Sequence, residues 1–468
     1  MLNYFNFQRF EDGFLLTNDF GRFAYLAQDD LSQLLDDDAS IKPSLRKELI
    51  EKGFVFDGSP EGFSLRYENG YRDAKNYVFA STGLHILVMS TACNLACVYC
   101  QANAGVKSTD VKSTDLYMKA DVAEDAVRIA LDSPSDRITI EFQGGEPLTN
   151  FETIEHVVRY VEEHKGSKTV EFSLVSNLTL VSDEILEFLV QHKFGLSTSI
   201  DGFQALHNLN RPFRAGGGSY SLVMDSLSRV RKAGLNVGVI ETTTKESLAH
   251  PVEIIDALVA TGVNSISIRP LTPLGCAGVR WDEIGYTPEE YTAFYKKALE
   301  RVIQLCEEGV SVQEGTASVF FAKALHGYPV NHMEYRSPCG GAFGQMAYYP
   351  DGGVYTCDEG RMLYQMGDDA FKLGNVRESA FVDLVSSSVA RSVALASVLE
   401  SNPACCDCVF QPYCGSCPVV NYALEGDLRS KNSQGYRCGL AKGVFGVLFS
   451  TFLNANEEQR AIMESWHA

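Results

Sequence analysis

The chain has 468 residues, more than one hydrophobic core usually spans, so two or three domains are expected. Its composition, 45% hydrophobic, 21% charged and 11% aromatic, is that of an ordinary globular chain and excludes long disordered tracts. Forty Lys plus Arg against 60 Asp plus Glu give a formal charge of −20 with no concentrated basic patch, which argues against nucleic acid or an anionic membrane as a partner.

The opening MLNYFNFQRFEDGFLL lacks a basic region and a long apolar run, and no stretch of about 18 uncharged apolar residues follows, so a cytoplasmic location is expected. In that reducing compartment the 13 cysteines are better read as thiolate ligands than as disulfides.

Gly13–Leu16 and Phe23–Leu26 read as short strands around the turn Asn18-Asp19-Phe20-Gly21. Leu31, Leu34 and Leu35, then Leu45, Leu49 and Ile50, repeat at helical spacing, and Gly53 ends the second helix. Two strands and two helices in residues 1–80 would make a small winged-helix-like module.

Residues 81–310 alternate apolar runs with amphipathic helices. Expected strands are Ile86–Met89, Ile138–Phe142, Val170–Val175, Leu196–Ile200, Val237–Ile240 and Ile266–Ile268. Ile154, Val157, Val158 and Val161 line one intervening helix face, Ile185, Leu186 and Leu189 the next, and Ile254, Leu258 and Val259 a later one. Six such repeats imply an α/β fold, a parallel sheet curled as an open or partial barrel, with chemistry at the carboxyl ends of the strands.

Beyond residue 310 the alternation is expected to stop. Gly, Tyr, Pro and Cys dominate residues 311–440, a composition usually held together by metal, and an apolar helix from Lys442 to Leu453 closes the chain within residues 441–468.

The loop after the first barrel strand reads Cys93-Asn94-Leu95-Ala96-Cys97-Val98-Tyr99-Cys100. Three thiolates on one tight loop suit three irons of a [4Fe-4S] cubane, leaving the fourth iron open. Zinc is the rival, but a closed zinc site wants a fourth ligand and paired knuckles, and no His or Cys follows nearby.

This CxxxCxxC resembles that of the radical S-adenosylmethionine (SAM) enzymes. The resemblance implies a partial (β/α)6 TIM-type barrel of the radical SAM fold, that Cys93, Cys97 and Cys100 carry the catalytic cluster, that its open iron chelates SAM, and that a 5′-deoxyadenosyl radical results. Tyr99 matches the aromatic position near adenine. Gly144-Gly145-Glu146-Pro147 matches the family's GGEP, which receives the methionine ammonium. Ser176-Asn177 matches two positions of the family's Thr-Asn-Gly, Asn177 being the ribose contact, with Leu178 in place of the glycine. Ser199-Ile200-Asp201-Gly202 and His207-Asn208-Leu209-Asn210-Arg211 resemble segments of peptide-modifying members, in which Ser199 and Arg211 match positions holding the SAM carboxylate. Asp201 can equally cap a turn, and Arg214 can replace Arg211.

In the last third, Cys339, Cys357, Cys405, Cys408, Cys414, Cys417 and Cys438 resemble the SPASM domain of radical SAM maturases. The gap Gly415-Ser416 is one residue shorter than the family's. By position, Cys405, Cys408, Cys414 and Cys438 match the ligands of a distal auxiliary [4Fe-4S] cluster, and Cys339, Cys357 and Cys417 those of a nearer one. Residues Val330 to Pro338 contain no further cysteine, which leaves the nearer cluster open or with a non-cysteine ligand. Cys406 is spare, and Cys276 and Cys306 read as structural free thiols.

The whole chain looks most like the maturases of His-Xaa-Ser peptide systems. That resemblance implies SAM, one SAM-binding and two auxiliary [4Fe-4S] clusters, a precursor peptide whose leader pairs with the N-terminal module, and a flavodoxin- or ferredoxin-type electron donor. The expected reaction is an intrapeptide crosslink, carbon–carbon, carbon–oxygen or thioether. A sulfatase-type maturase making formylglycine is the alternative, a plain cap is the alternative for the module, and a metal-stapled regulatory scaffold is the non-enzyme reading.

Overall fold

The computed structural model describes residues 1–36, 40–102, 117–429 and 435–466. Near the amino terminus β1 (Asn6–Phe10), β2 (Gly13–Thr17) and β3 (Phe23–Leu26) form an antiparallel sheet, followed by helices Gln28–Asp36, Pro43–Glu51 and Pro60–Ala74. The expected hairpin is β2–β3. Two elements were not legible. β1 buries little besides Asn6, with Phe7 45% exposed, so it carries no alternating signal. The third helix has no buried residue at all, and its Phe63, Tyr67 and Tyr71, four apart, stack on one another.

Both faces of this small sheet are covered, because successive strand residues point to opposite sides. Leu16, Ala24 and Leu26 pack on Leu31, Leu34 and Leu49 in the module's own core, whereas Leu15 and Phe23 join the main core of the protein. Phe23 lies edge-on to Phe449 and Phe452 of the carboxyl-terminal helix. The Thr17 hydroxyl donates to the Val409 carbonyl at 2.7 Å, and the Tyr413 hydroxyl to the Gly21 carbonyl at 3.1 Å. The module is therefore seated on the cysteine-rich third.

β4 (Leu84–Ser90), β5 (Arg137–Gly144), β6 (Thr169–Val175), β7 (Gly195–Ser199), β8 (Val237–Thr242) and β9 (Ser265–Arg269) lie side by side in chain order and all parallel, at the expected places. Along β5, Ile138, Ile140 and Phe142 point out into the core beneath the helices. Thr139, Glu141 and Gln143 point inward, as do Ser197 and Ser199 of β7 and Ser265, Ser267 and Arg269 of β9. TIM barrels usually fill this space with branched apolar side chains. Here it is hollow and polar.

The alternation does not stop at residue 310. β10 (Gln313–Glu314) adds to β9 in parallel, and Glu314 caps helix Gly315–His326 by accepting from the Thr316 and Ala317 amides. On the opposite edge β11 (Gln345–Tyr348) pairs in parallel with β4, and β12 (Gly353–Tyr355) and β13 (Lys372–Asn375) follow antiparallel, giving a ten-stranded sheet. The cysteine-rich third thus shares its sheet with the barrel. The final apolar helix, Tyr436–Asn454, begins one and a half turns earlier than expected and includes Cys438; helix Glu457–Ser465 follows. No helix among the described residues is long and apolar enough to cross a membrane.

Candidate active site

The CxxxCxxC loop leaves β4 and is held from the side by the segment after β7. Ala96 and Val98 donate their amides to the Pro212 and Asn210 carbonyls, each at 2.9 Å, and the Arg214 amide donates to the Asn94 carbonyl at 2.9 Å. The Arg214 guanidinium reaches the carbonyls of Cys93 and Leu95, both at 3.3 Å. Arg214 is therefore a clamp on the loop as well as a residue facing the cavity. Cys276, read from sequence as a structural free thiol, lies on the other side, its amide donating to the Cys100 carbonyl at 3.0 Å.

The loop after β5 approaches the same segment so closely that only glycine fits. A β-carbon on Gly144 would stand 2.1 Å from the Ser90 carbonyl oxygen, and one on Gly145 2.2 Å from that of Ala92. These glycines face the cavity. Glu146 does not: it is fully enclosed, and its carboxylate accepts from the Ser176 hydroxyl (2.8 Å), the Asn177 amide (2.8 Å) and the Leu148 amide (3.1 Å). Its carboxylate thus fastens the loops after β5 and β6 to each other. Burial pushes its carboxyl above the ordinary value while those three hydrogen bonds pull the other way.

Asn177 reaches the first cluster motif directly. Its side-chain amide donates to Asn94 Oδ1 at 2.9 Å and lies 3.9 Å from Cys93 Sγ. Leu178, standing where the resembled family has glycine, adopts φ +60°, the left-handed region glycine prefers, and is completely buried. The turn is kept although the residue has changed. Burial of the leucine side chain offsets the strain of that backbone.

Beneath the loop sits a buried polar network that the sequence did not disclose. The Tyr99 hydroxyl donates to Asp201, with oxygens at 2.7 and 2.9 Å, and accepts from the Arg211 guanidinium at 2.6 Å. Asp201 is wholly buried and bridges elements far apart in the chain rather than capping a local turn. Its amide donates to His207 Nδ1 at 3.3 Å; His207 Nε2 then donates to the Ser219 hydroxyl at 3.1 Å, which donates to the Arg211 carbonyl at 2.6 Å. Burial holds the imidazole neutral, its pKa lowered to about 3. Ser199 ends β7 and faces the cavity beside this network.

The second cysteine field falls into two sets. Cys405, Cys408, Cys414 and Cys438 feel one another's charge, and Cys339, Cys357 and Cys417 do likewise in a separate apolar cluster. Glu359 stands near all three of the latter. The Cys406 thiol lies 3.9 Å from the Pro403 carbonyl and close enough to Cys405 for its charge to be felt there; the carbonyls of Cys406 and Cys408 accept from the Asn6 side chain at 3.0 and 3.2 Å, tying the N-terminal module to this loop. Cys306 donates to the Val312 carbonyl at 3.1 Å, a structural role.

Burial pushes the Cys93 and Cys405 thiols up to about 11 and those of Cys97, Cys414 and Cys417 to about 12. Such thiols stay protonated at neutral pH unless a metal displaces the proton. Among the described residues, no three His, Cys, Asp or Glu side chains close on one point as a single ion would require. A cubane asks for something different, since each thiolate takes its own iron. Sets of three and four all-sulfur donors fit [4Fe-4S] clusters.

One cavity of about 1390 Å³ joins these parts. It is lined by Cys93, Cys97, Cys100, Tyr99, Gly144, Gly145, Ser176, Asn177, Ser199 and Arg211 at one end, and it reaches Cys405, Cys414 and Cys438 at the other. That exceeds the space of an ordinary small-ligand pocket.

Residues 87–258 match the Radical SAM superfamily, and residues 339–418 match SPASM, an iron-sulfur cluster-binding domain. The chain carries a radical SAM domain and, after it, a SPASM domain. These domains imply [4Fe-4S] clusters and SAM, the groups the cysteine sets suit. A cysteine-type anaerobic sulfatase-maturating enzyme of Clostridium perfringens (strain 13 / Type A) is 24% identical over 373 residues, 78% of this chain and 95% of that one. The structure of anSMEcpe with bound AdoMet and Cp18Cys peptide superposes with a TM-score of 0.65 at 22% identity, covering 80% of this chain and 98% of that one. Streptococcus suis SuiB bound to precursor peptide SuiA gives 0.54 at 14% identity, covering 92% and 98%. The radical SAM domain thus supplies the parallel barrel, and the SPASM domain extends its sheet from the β4 edge.

Proposed function

We propose that this protein modifies a ribosomally made peptide, abstracting a hydrogen atom and closing an intrapeptide crosslink through carbon–carbon, carbon–oxygen or thioether bond formation. The observation that carries this reading is one continuous cavity running from the CxxxCxxC loop to the distal cysteine set. When bound at Cys93, Cys97 and Cys100, the cluster with SAM supplies the 5′-deoxyadenosyl radical. Gly144 and Gly145 would receive the methionine end of SAM, Ser199 and Arg211 would hold its carboxylate, and Ser176, Asn177 and the Tyr99 backbone would hold its nucleoside. Glu146 works through Ser176 and Asn177, which it fixes in place.

Cys405, Cys408, Cys414 and Cys438 would hold the distal auxiliary cluster and Cys339, Cys357 and Cys417 the nearer one, each a route by which the electron released on bond formation leaves the peptide. A flavodoxin- or ferredoxin-type protein would donate the initiating electron, and the cytoplasm is the fitting compartment. β1 offers an unpaired strand edge and an exposed Phe7 to a leader peptide. The wide coverage of this chain by the precursor-bound SuiB fold supports that role, and resemblance to His-Xaa-Ser system maturases agrees with it.

The second reading is a sulfatase-type maturase, favoured by the Clostridium perfringens relative that spans most of this chain. Mass spectrometry of a candidate peptide co-expressed with this protein separates the two. A crosslink removes two hydrogens, retains all sulfur and leaves nothing reactive toward hydrazide. Formylglycine from Cys loses the sulfur, and from either Cys or Ser gives a hydrazide-reactive aldehyde. An unmodified peptide with a fully iron-loaded, SAM-cleaving protein would count against both.

A further inference from the structure

The barrel lumen holds one carboxylate that nothing assigned so far uses. Glu141 lies on β5 and points into the cavity, one inward position below Gln143 and two below the Gly145 of the glycine loop. At about 3.3 Å per strand residue, that is some ~13 Å deeper than the lip of the site. Its Oε1 accepts from the Gln143 side-chain amide at 2.5 Å and its Oε2 from the Ser173 hydroxyl at 3.1 Å. A carboxylate offers about four acceptor positions, so two are left toward the lumen.

Among the described residues no cation pairs with Glu141. The one charged group whose field reaches it is Asp358, another carboxylate, bound by the Arg361 guanidinium at 2.7 Å. Thr139, Ser197 and Ser267 bring hydroxyls to the lumen, and Arg269 and Arg361, which line the same cavity, are spoken for by Glu334 and Asp358. A half-enclosed carboxylate facing neutral hydroxyls is costly in an apo protein and is relieved by a ligand that brings N–H donors or positive charge. Burial pushes its carboxyl above the ordinary value, and Asp358 adds to the push.

We propose that Glu141 is a specificity-determining residue that receives a cationic, hydrogen-bond-donating side chain of the peptide, lysine, arginine or protonated histidine, inside the barrel. This rests on the peptide-modifying reading. Gln143 and Ser173 hold the carboxylate on its strand, leaving its free lone pairs toward the incoming residue. The contact selects which residue enters; it does not itself take part in hydrogen abstraction.

The test uses the full chain reconstituted without oxygen and short probes, acetyl-Ala-Ala-X-Ala-Ala-amide with X as Lys, Arg, His, Leu or Glu. Peptide-stimulated 5′-deoxyadenosine formation is normalised to each protein's own uncoupled SAM cleavage. Wild type should favour the basic probes over the leucine probe by about tenfold, the size of one charge-assisted hydrogen bond. Glu141→Gln, which keeps the shape and the Gln143 and Ser173 partners, should level that ranking, and Glu141→Lys should shift it toward the glutamate probe. Equal iron content in the variants shows that they have folded. The same basic preference in Glu141→Gln, or stimulation of wild type regardless of X, overturns the inference alone. A wild type that cleaves SAM but responds to no probe and no full-length precursor overturns the peptide-modifying reading with it.

Discussion

The Arg211 guanidinium donates to the Tyr99 hydroxyl at 2.6 Å, joining the segment after β7 to the residue that precedes the third cysteine of the cluster loop. Through Tyr99, which also donates to Asp201, the loop is set on two buried charged groups rather than on solvent. Removing one member leaves the other charges enclosed and under-partnered.

Tyr99→Phe should therefore lower stability by about 1–3 kcal/mol and loosen the cluster loop, because Asp201 and Arg211 each lose a partner. Chemical denaturation of the iron-loaded protein checks this; an unchanged midpoint would mean that the network carries no stability.

Glu146→Ala should cost stability as well as SAM affinity. It deletes the acceptor of three hydrogen bonds between two loops, with an expected loss of about 2–4 kcal/mol. If the variant keeps wild-type stability and loses only SAM binding by calorimetry, Glu146 faces the ligand instead.

Gly145→Ala should abolish iron retention, since its β-carbon would stand 2.2 Å from the Ala92 carbonyl oxygen next to Cys93. Gly446→Ala, in an open helical position with nothing near, should raise stability by about 0.5–1 kcal/mol and leave iron content as it was. Iron and sulfide assays on both variants decide.

His207 gives a pH dependence of definite sign. Its folded pKa, lowered to about 3, lies below the ordinary 6.5, so between those values the unfolded chain binds the proton and the folded one does not. Stability from the neutral ring is present above pH 6.5 and is lost as pH falls toward 3, by up to about 1.4 kcal/mol per unit. His207→Gln should flatten the denaturation curve between pH 6.5 and 4; an identical slope would place the acid sensitivity elsewhere.

The six parallel strands were legible because Ile138, Ile140 and Phe142, and their counterparts, alternate with helices of regular apolar spacing. The cysteine sets were legible from the order and spacing of the cysteines together with their resemblance to the SPASM pattern. β10 and β11 were not, for two residues carry no period and Gln345–Tyr348 is buried on every residue. Nor did sequence reveal that Asp201 meets Tyr99, 102 positions away, since such a contact exists only once strands β4 and β7 are in place. The seating of the module also decides how its role can be tested. Deleting residues 1–75 would expose Phe449 and Phe452 and remove the Asn6 bonds at the distal cysteines, so it would confuse recognition with folding. Phe7→Asp on the exposed strand is the cleaner change, expected to weaken precursor binding in calorimetry while iron content holds.

The most direct measurement follows the hydrogen atom. A precursor peptide made from deuterated amino acids is incubated anaerobically with iron-loaded protein, SAM and a reductant, and the 5′-deoxyadenosine is examined by mass spectrometry. Abstraction from a peptide in the joined cavity puts deuterium into that nucleoside, in step with peptide modification, and replacing Cys93, Cys97 and Cys100 by Ala abolishes both. Peptide modification without deuterium in the nucleoside, or with undiminished yield in the cysteine variant, would contradict the account.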